Sequence, residues 1–272
     1  MMSSGPGWPA SMLIVGCGNM GGAMLAGWLA GGAPPSRFTV VDPVLAEAPA
    51  GVELLRELPR RAFDAILLGV KPQLLGDVAP QLAALAGPDT VLLSILAGVE
   101  LESLAARFAQ AGGLVRIMPN LAAAIGKSPV ALFAAGLDAG RRDAVTALMR
   151  PLGTPEWLAA ESQFDLVTAL AGSGPAFVYR FIDALASGAA ALGLDAGQAG
   201  RLALATVEGA AQLAAASPHG PAELARRVAS PGGTTQAGLD VLDAGGALAA
   251  LARATLQAAA ERSAEMAREA RK

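Results

Sequence analysis

Short apolar runs alternate with helical periodicity in the first part of this chain. The runs are rich in branched residues and predict strands at SMLIVG (11–16), RFTVVD (37–42), DAILLGV (64–70), TVLLSIL (90–96), LVRIM (114–118), PVALFAA (129–135) and, as an edge strand, TPEWL (154–158). Apolar residues at helical spacing separate several of them, after residue 19 and at 73–86, 100–111 and 138–150. Alternating strands and helices indicate a doubly wound parallel sheet.

Helical spacing alone continues through the second part of the chain. It predicts helices at 162–171, 175–192, 195–216, 221–229, 234–244 and 247–271. We therefore expect a dinucleotide-binding domain at 11–160, a helical substrate-binding and dimerisation domain at 161–272, and a disordered leader at 1–10.

The predicted helix 195–216 is too apolar for a solvated helix. Beyond the capping Asp195 it carries charge only at Arg201 and Glu208, and alanine and glycine fill most other positions. Such a helix is buried on more than one face. The partner surface is either a second subunit or another part of the same subunit.

Composition narrows the class of protein. The 272 residues are 53% hydrophobic with a net charge of −3, so nothing in the charge balance indicates a nucleic-acid partner. Cys17 is the only cysteine, which excludes an intrachain disulfide and favours a reducing compartment. The apolar stretch Met12–Trp28 is interrupted by Asn19 and repeated glycines, so we expect no membrane span and a cytoplasmic location.

The first predicted strand ends in a glycine-rich turn, Gly16-x-Gly18-x-x-Gly21. Gly16 permits the tight turn, Gly18 lets a pyrophosphate approach the backbone, and Gly21 allows close packing of helix on strand. Strand, turn and helix follow in the order typical of a Rossmann-like dinucleotide site. We expect Cys17, Asn19 and Met20 to contact the cofactor as well. A chance match in a glycine-rich chain is the alternative.

Asp42 closes the second predicted strand about 20 residues after the turn, where a carboxylate accepts hydrogen bonds from the adenosine ribose. The alternative is a turn aspartate before Pro43. No arginine or lysine follows until Arg56, so an ionised Asp42 would repel the 2′-phosphate of NADPH. The sequence therefore favours NADH over NADPH, unless Arg56, Arg60 or Arg61 folds over the site.

Residues 221–243 join two predicted helices through a second glycine-rich turn. Gly232 and Gly233 precede Thr234 and Thr235, and Ser230 lies just before them. Unpaired backbone N–H groups, hydroxyls and a helix dipole together suit a small anion such as a carboxylate. An ordinary helix corner with threonine caps is the alternative.

The segment PAELARRVASPGGTTQAGLDVLD (221–243) resembles the signature of the pyrroline-5-carboxylate reductases, and GSGPAFVYRFIDAL (172–185) resembles them too. The resemblance runs over nearly the whole chain. It implies reduction of 1-pyrroline-5-carboxylate to L-proline with NAD(P)H, in a homodimer or a larger ring of dimers. It also implies cofactor contacts at Val70, Lys71, Pro72, Leu96 and Ala97. A solvated lysine remains the alternative for Lys71.

Under this resemblance the substrate carboxylate binds Gly232, Gly233 and Thr234 with help from Ser230, and Thr235 hydrogen-bonds the ring nitrogen. Glu161 aligns with a family position near the substrate. The only histidine, His219, lies in a loop, and residues 161–271 contain no lysine, so a general base for alcohol oxidation is lacking. A cyclic imine needs none, and no metal is expected. The alternatives are a related reductase for another imine or keto acid and a non-catalytic nucleotide-sensing protein.

Overall fold

A computed structural model describes residues 9–270, without the side chains of residues 269 and 270. Most of the expected leader, residues 1–8, lies outside the described residues. Pro9 and Ala10 are described, and the backbone N–H of Ala10 donates to the Asp64 carboxylate at 2.7 Å. These two residues are therefore held against the fold, contrary to the expectation of disorder through residue 10.

Eight strands form one sheet with the order β3-β2-β1-β4-β5-β6-β7-β8. Their bounds are β1 Met12–Val15, β2 Phe38–Val41, β3 Glu53–Leu55, β4 Ala65–Leu68, β5 Val91–Ser94, β6 Gly113–Met118, β7 Ser128–Phe133 and β8 Gly153–Trp157. The first six strands in sequence run parallel, as predicted. β3 was not predicted, because its three residues are half-buried or exposed and form no apolar run.

The sheet is not entirely parallel. β7 pairs antiparallel with β6, and β8 then runs parallel to β7. Only a short 3-10 turn, Leu121–Ile125, lies between β6 and β7. A parallel pair would need a longer crossover, usually a helix, so the short connection reverses the chain.

Buried side chains cover both faces of the sheet. Along β1, Met12 and Ile14 point into one apolar cluster, and Leu13 and Val15 point into the other. All four residues are at most 3% exposed. This two-sided burial explains why the central strands read as continuous apolar runs rather than as alternating ones.

Ten α-helices are present among the described residues. Their bounds are α1 Asn19–Ala30, α2 Leu75–Leu82, α3 Leu101–Arg107, α4 Ala139–Met149, α5 Phe164–Val167, α6 Gly174–Ala191, α7 Ala196–Ala216, α8 Pro221–Val228, α9 Thr234–Asp243 and α10 Ala247–Ala270. A π-helix, Thr168–Gly172, follows α5 where the sequence predicted an unbroken helix. No helix in the described part of the chain is long and apolar enough to cross a membrane.

The chain divides into two compact units. The first comprises the described residues through Gly172 together with those from Ala259 onward, and the second is Ser173–Ala258. The expected boundary was twelve residues earlier, at 160/161. Residues 161–172 group with the sheet because Asn120 at the end of β6 donates through Nδ2 to the carbonyl of Ala171 at 2.9 Å. The end of α10 joins them through Ser263, whose hydroxyl donates to Asp165 at 2.8 Å.

The second unit has almost no interior of its own. Among residues 173–258, all of which the structure describes, the only buried apolar residues are Ala199 and Ala203. On α7, Leu202 is 52% exposed and Leu213 is 74% exposed. Burial of this helix inside one subunit, the second of the two alternatives, therefore does not occur.

Candidate active site

The glycine-rich turn after β1 has the shape that the sequence predicts. Gly16 has a φ of +84°, and a Cβ there would lie 2.8 Å from the backbone of Gly69 and Val70. A Cβ at Gly21 would lie 2.8 Å from the carbonyl oxygen of Gly16. Both glycines are required by close approach of backbone to backbone.

Gly18 differs from its neighbours, since a Cβ there would meet nothing within 4 Å. It is the N-cap of α1, and α1 begins with no side-chain cap and no acidic residue in its first turn. The backbone N–H groups at this end thus have no competing side-chain acceptor, and open space lies in front of them. This arrangement fits the pyrophosphate of a dinucleotide, with Cys17, Asn19 and Met20 beside it.

Asp42 is tied to the same turn. Its Oδ2 accepts the backbone N–H of Cys17 at 2.9 Å, and its Oδ1 accepts those of Val44 and Leu45 at 2.9 and 3.0 Å. Burial acts to raise the pKa of Asp42, but these three hydrogen bonds and the charge of Arg56 lower it below its ordinary value. Asp42 is therefore an ionised carboxylate that shapes this turn, as the alternative of a turn aspartate predicts. Its hydrogen bond to a ribose stays a prediction.

Arg56 is the first residue after β3. Its Nη1 donates to the carbonyl oxygens of Asp42 and Leu45 at 2.7 and 2.6 Å. Arg61 instead pairs with Glu53 and also donates to the Thr39 hydroxyl. No described arginine therefore forms an ion pair with the Asp42 carboxylate.

Cys17 is buried in this turn. Burial, and after it the negative charge of Asp42, raise the pKa of the Cys17 thiol to about 11. The thiol is consequently protonated at neutral pH. Its backbone N–H, rather than its sulfur, is the part that organises the site.

An open cavity of about 1330 Å³ extends from the carboxyl ends of β1 and β2, along α2, to the segments that precede β4 and β5. Val70 contributes to its wall, while Lys71 is exposed at the start of the short 3-10 turn Pro72–Leu74. The cavity is large enough for the adenosine half of a dinucleotide. Other lining residues include Val15, Gly16, Val41, Pro43, Arg56, Arg60 and Leu74.

After β5 the chain makes a tight turn at Leu96–Val99. The Leu96 side chain is only 3% exposed and packs in the apolar cluster on one face of the sheet. A cofactor contact at Leu96 therefore stays a prediction, and it concerns the backbone of this residue. Ala97 is exposed and presents the turn to the solvent.

The Glu161 side chain is hydrogen-bonded to the sheet and to the start of α3. Its Oε1 accepts the backbone N–H of Leu101 at 2.7 Å and Nη1 of Arg116 at 2.6 Å. Sequence reasoning missed Arg116, whose partner is 45 residues away. The available signal was a charged residue in the middle of the apolar strand β6.

The second glycine-rich turn is well formed in the second unit. Gly232 has a φ of +72°, and the N–H of Gly233 donates to the carbonyl oxygen of Ser230 at 2.9 Å. Gly233 is the N-cap of α9, and no side chain caps this helix. The hydroxyls of Ser230, Thr234 and Thr235 are on exposed residues and make no internal hydrogen bond among the described residues. The alternative of threonine caps is therefore not what the structure shows.

These features define a class of protein, a dinucleotide-binding protein of Rossmann-like fold with an uncapped glycine-rich turn in its second unit. No group of metal-ligating side chains occurs among the described residues. Comparison with known proteins identifies the family within this class. Residues 161–266 match the family described as pyrroline-5-carboxylate reductase dimerisation.

Relatives cover almost the full chain. Pyrroline-5-carboxylate reductase from Pseudomonas aeruginosa is 37% identical over 93% of this chain and 96% of its own length. The structure of such a reductase from Coxiella burnetii is 29% identical, with a TM-score of 0.87 over 94% of this chain and 98% of that one. A Plasmodium falciparum structure with NADP bound is 23% identical, with a TM-score of 0.80 over 95% and 98%, and shows the shared fold.

The chain belongs to the pyrroline-5-carboxylate reductase family. Members of this family are NAD(P)H-dependent oxidoreductases that reduce 1-pyrroline-5-carboxylate to proline. They have a dimerisation domain and form homo-oligomers. That assembly agrees with the unburied apolar surface of residues 173–258.

Proposed function

We propose that this protein reduces 1-pyrroline-5-carboxylate to L-proline and that the turn Gly232–Thr235 binds the substrate carboxylate. The observation that carries the proposal is the uncapped start of α9. Backbone N–H groups and the positive end of the helix dipole face outward there, with no side-chain acceptor to satisfy them. A carboxylate supplies the missing acceptor and the complementary charge.

The three hydroxyls at this turn have separate roles in the proposal. Ser230 donates a further hydrogen bond to the substrate carboxylate. Thr235 hydrogen-bonds the ring nitrogen and orients the imine, because a threonine hydroxyl is a poor acid near neutral pH. Thr234 contributes its backbone N–H, whereas the N–H of Gly233 donates to the carbonyl oxygen of Ser230 and holds the turn in shape.

The nicotinamide cofactor, when bound, supplies the hydride that adds to the imine carbon. One proton on the ring nitrogen completes the reduction to a secondary amine, and a cyclic imine takes up that proton readily before the reaction. The protein therefore needs to bind and orient rather than to provide a strong general base.

In the proposal the first unit holds the cofactor at Gly16–Met20, Asp42, Val70–Pro72 and Ala97. We also propose a cytoplasmic location, supported by a single cysteine whose thiol is free and buried. A homodimer is the smallest assembly that can cover the apolar surface of the second unit. Larger rings of dimers would cover it in the same way.

The direct test mixes the purified protein with NADH or NADPH and follows loss of the reduced nicotinamide absorbance. We expect oxidation with 1-pyrroline-5-carboxylate and L-proline as the product. A six-membered imine carboxylate and a 2-keto acid serve as competing substrates. Faster oxidation with either one points to a related reductase, and no oxidation with any of the three points to a nucleotide-sensing protein.

A further inference from the structure

The carboxylate of Glu161 joins three elements of the first unit. Its Oε1 accepts from Leu101, the first residue of α3, and from Arg116 in the middle of β6. Glu161 itself begins the segment that leads into α5. One oxygen atom therefore fixes a helix start, a strand and a connecting segment against one another.

Arg116 is a costly residue to bury without this partner. Its side chain is 7% exposed, and its guanidinium carbon lies 4.1 Å from the ring centre of Phe164, which is 3% exposed. The aromatic face attracts the cation, but a buried charge without a counter-charge is strongly unfavourable. Glu161 provides that counter-charge, so the two residues depend on each other.

The start of α3 relies on Glu161 as its cap. The N-cap residue, Glu100, makes no side-chain capping bond, and Glu161 takes the Leu101 N–H in its place from 60 residues away. Loss of an N-terminal capping acceptor typically loosens the first turn of a helix. Here that turn is the direct continuation of the exposed turn at Leu96–Val99.

The Leu96–Val99 turn is also constrained from its other side. Gly98 has a φ of +74°, and a Cβ there would lie 2.9 Å from Cα of Ala267 in α10. Leu96 and Val99 are buried, which leaves Ala97 as the exposed residue of the turn. The position of Ala97 is consequently set by α10 on one side and by the Glu161-capped α3 on the other.

We propose that Glu161 and Arg116 are positioning residues for the cofactor, acting through the Leu96–Val99 turn, and that Glu161 is not a substrate ligand. The inference rests on the proposed function, which places Ala97 at the cofactor. It replaces the expectation that Glu161 contacts the substrate.

The test measures binding of NADH and NADPH, each alone, by quenching of intrinsic tryptophan fluorescence, and then the KM for 1-pyrroline-5-carboxylate. For Glu161→Ala we expect the cofactor dissociation constant to rise at least fivefold, with the substrate KM unchanged within twofold. An unchanged cofactor dissociation constant, or a rise in the substrate KM alone, overturns the proposal. Because the binding measurement contains no imine, it gives its answer even if the protein reduces a different substrate.

Asp138 offers a matched control for the loss of a capping carboxylate. It accepts the backbone N–H of Arg141 at 2.9 Å at the start of α4 and also pairs with the side chain of Arg141. Asp138→Ala should lower the melting temperature without changing cofactor binding. Equal weakening of cofactor binding in Asp138→Ala and Glu161→Ala would assign the effect to general loosening and overturn the proposal.

A second variant keeps the test open if Glu161→Ala does not fold. Glu161→Gln retains an oxygen acceptor for Leu101 and Arg116 but removes the counter-charge of the guanidinium. We expect cofactor binding about threefold weaker than in the parent, in the same direction as for alanine. A dissociation constant equal to that of the parent contradicts the role of the ion pair.

Discussion

The two units of this chain obtain their stability in different ways. In the first, two apolar clusters cover both faces of an eight-stranded sheet, and the central strands are almost completely buried. In the second, five helices or helix segments leave most of their leucines exposed, and only two alanines are buried. The first unit carries its own core, whereas the second presents an apolar surface, as expected of the part that forms the homo-oligomer.

The largest expected effect is the loss of dimerisation through the second unit. Leu202 and Leu213 are three turns apart on one face of α7, and both are more than half exposed. The double variant Leu202→Glu/Leu213→Glu should weaken dimerisation by more than a hundredfold. Burying each leucine stabilises by about 1.5–3 kcal/mol, and twofold symmetry doubles the loss.

Light scattering checks this prediction at micromolar concentration, where the parent should be oligomeric and the variant monomeric. Val44→Glu is the control, because Val44 is 88% exposed but lies in the first unit. It should leave the measured mass unchanged. A double variant that keeps the parental mass would show that this face of α7 is not in the interface.

The next effect concerns the choice of cofactor in the first unit. Arg56, Arg60 and Arg61 line the cavity, which is the arrangement that would oppose a preference for NADH. None of them pairs with the ionised Asp42 carboxylate, since Arg56 donates to backbone carbonyls and Arg61 pairs with Glu53. A 2′-phosphate near Asp42 costs about 1–3 kcal/mol, which is roughly tenfold to a hundredfold in specificity. We therefore expect NADH to give the higher kcat/KM, and Asp42→Ser to reduce that preference. A parental preference for NADPH that persists in Asp42→Ser would show that Asp42 does not face the ribose.

A smaller effect tests the anion-binding turn of the second unit. Thr235→Ala should lower kcat at least tenfold, or about 1.4 kcal/mol of transition-state stabilisation. Thr235→Ser, which keeps the hydroxyl, should recover most of the activity. Because no side chain caps α9, the alanine variant should keep the parental melting temperature. Parental kinetics in the alanine variant would remove Thr235 from the substrate site.

The smallest effect is the pH dependence of the first unit. The folded state lowers the pKa of Asp42, so its carboxylate stabilises the fold above the unfolded pKa of about 3.9, and this contribution disappears as the pH falls through the lower folded value. Asp42→Asn lacks the titration. The difference in melting temperature between parent and variant should therefore be constant from pH 7 to 5 and should shrink below pH 4. A difference that stays constant down to pH 3 would exclude this role.

The two units also differ in how much of their structure the sequence predicts. Apolar runs identified seven of the eight strands, and the glycines at 16, 18 and 21 predicted the dinucleotide turn, because those signals are local. The short connection after β6 and the single charge inside that strand were signals for the antiparallel β7 and for Arg116. The partner of Arg116 was not predictable, because Glu161 lies 45 residues away. In the second unit the helices and the Gly232 turn were predictable, whereas the exposure of the helix 195–216 was not, because the sequence does not say which surface covers it.

At Gly18, the stability of the fold and the proposed cofactor binding favour different residues. Its φ of −70° suits any residue, and a Cβ there has no neighbour within 4 Å. Replacing such a glycine by alanine usually stabilises a protein by about 0.4–1 kcal/mol, because the unfolded chain loses freedom. A selection for heat resistance alone would therefore accept Gly18→Ala and add a methyl group where we propose that the pyrophosphate binds. Gly16 and Gly21 carry no such conflict, since the fold itself rejects a side chain at both positions.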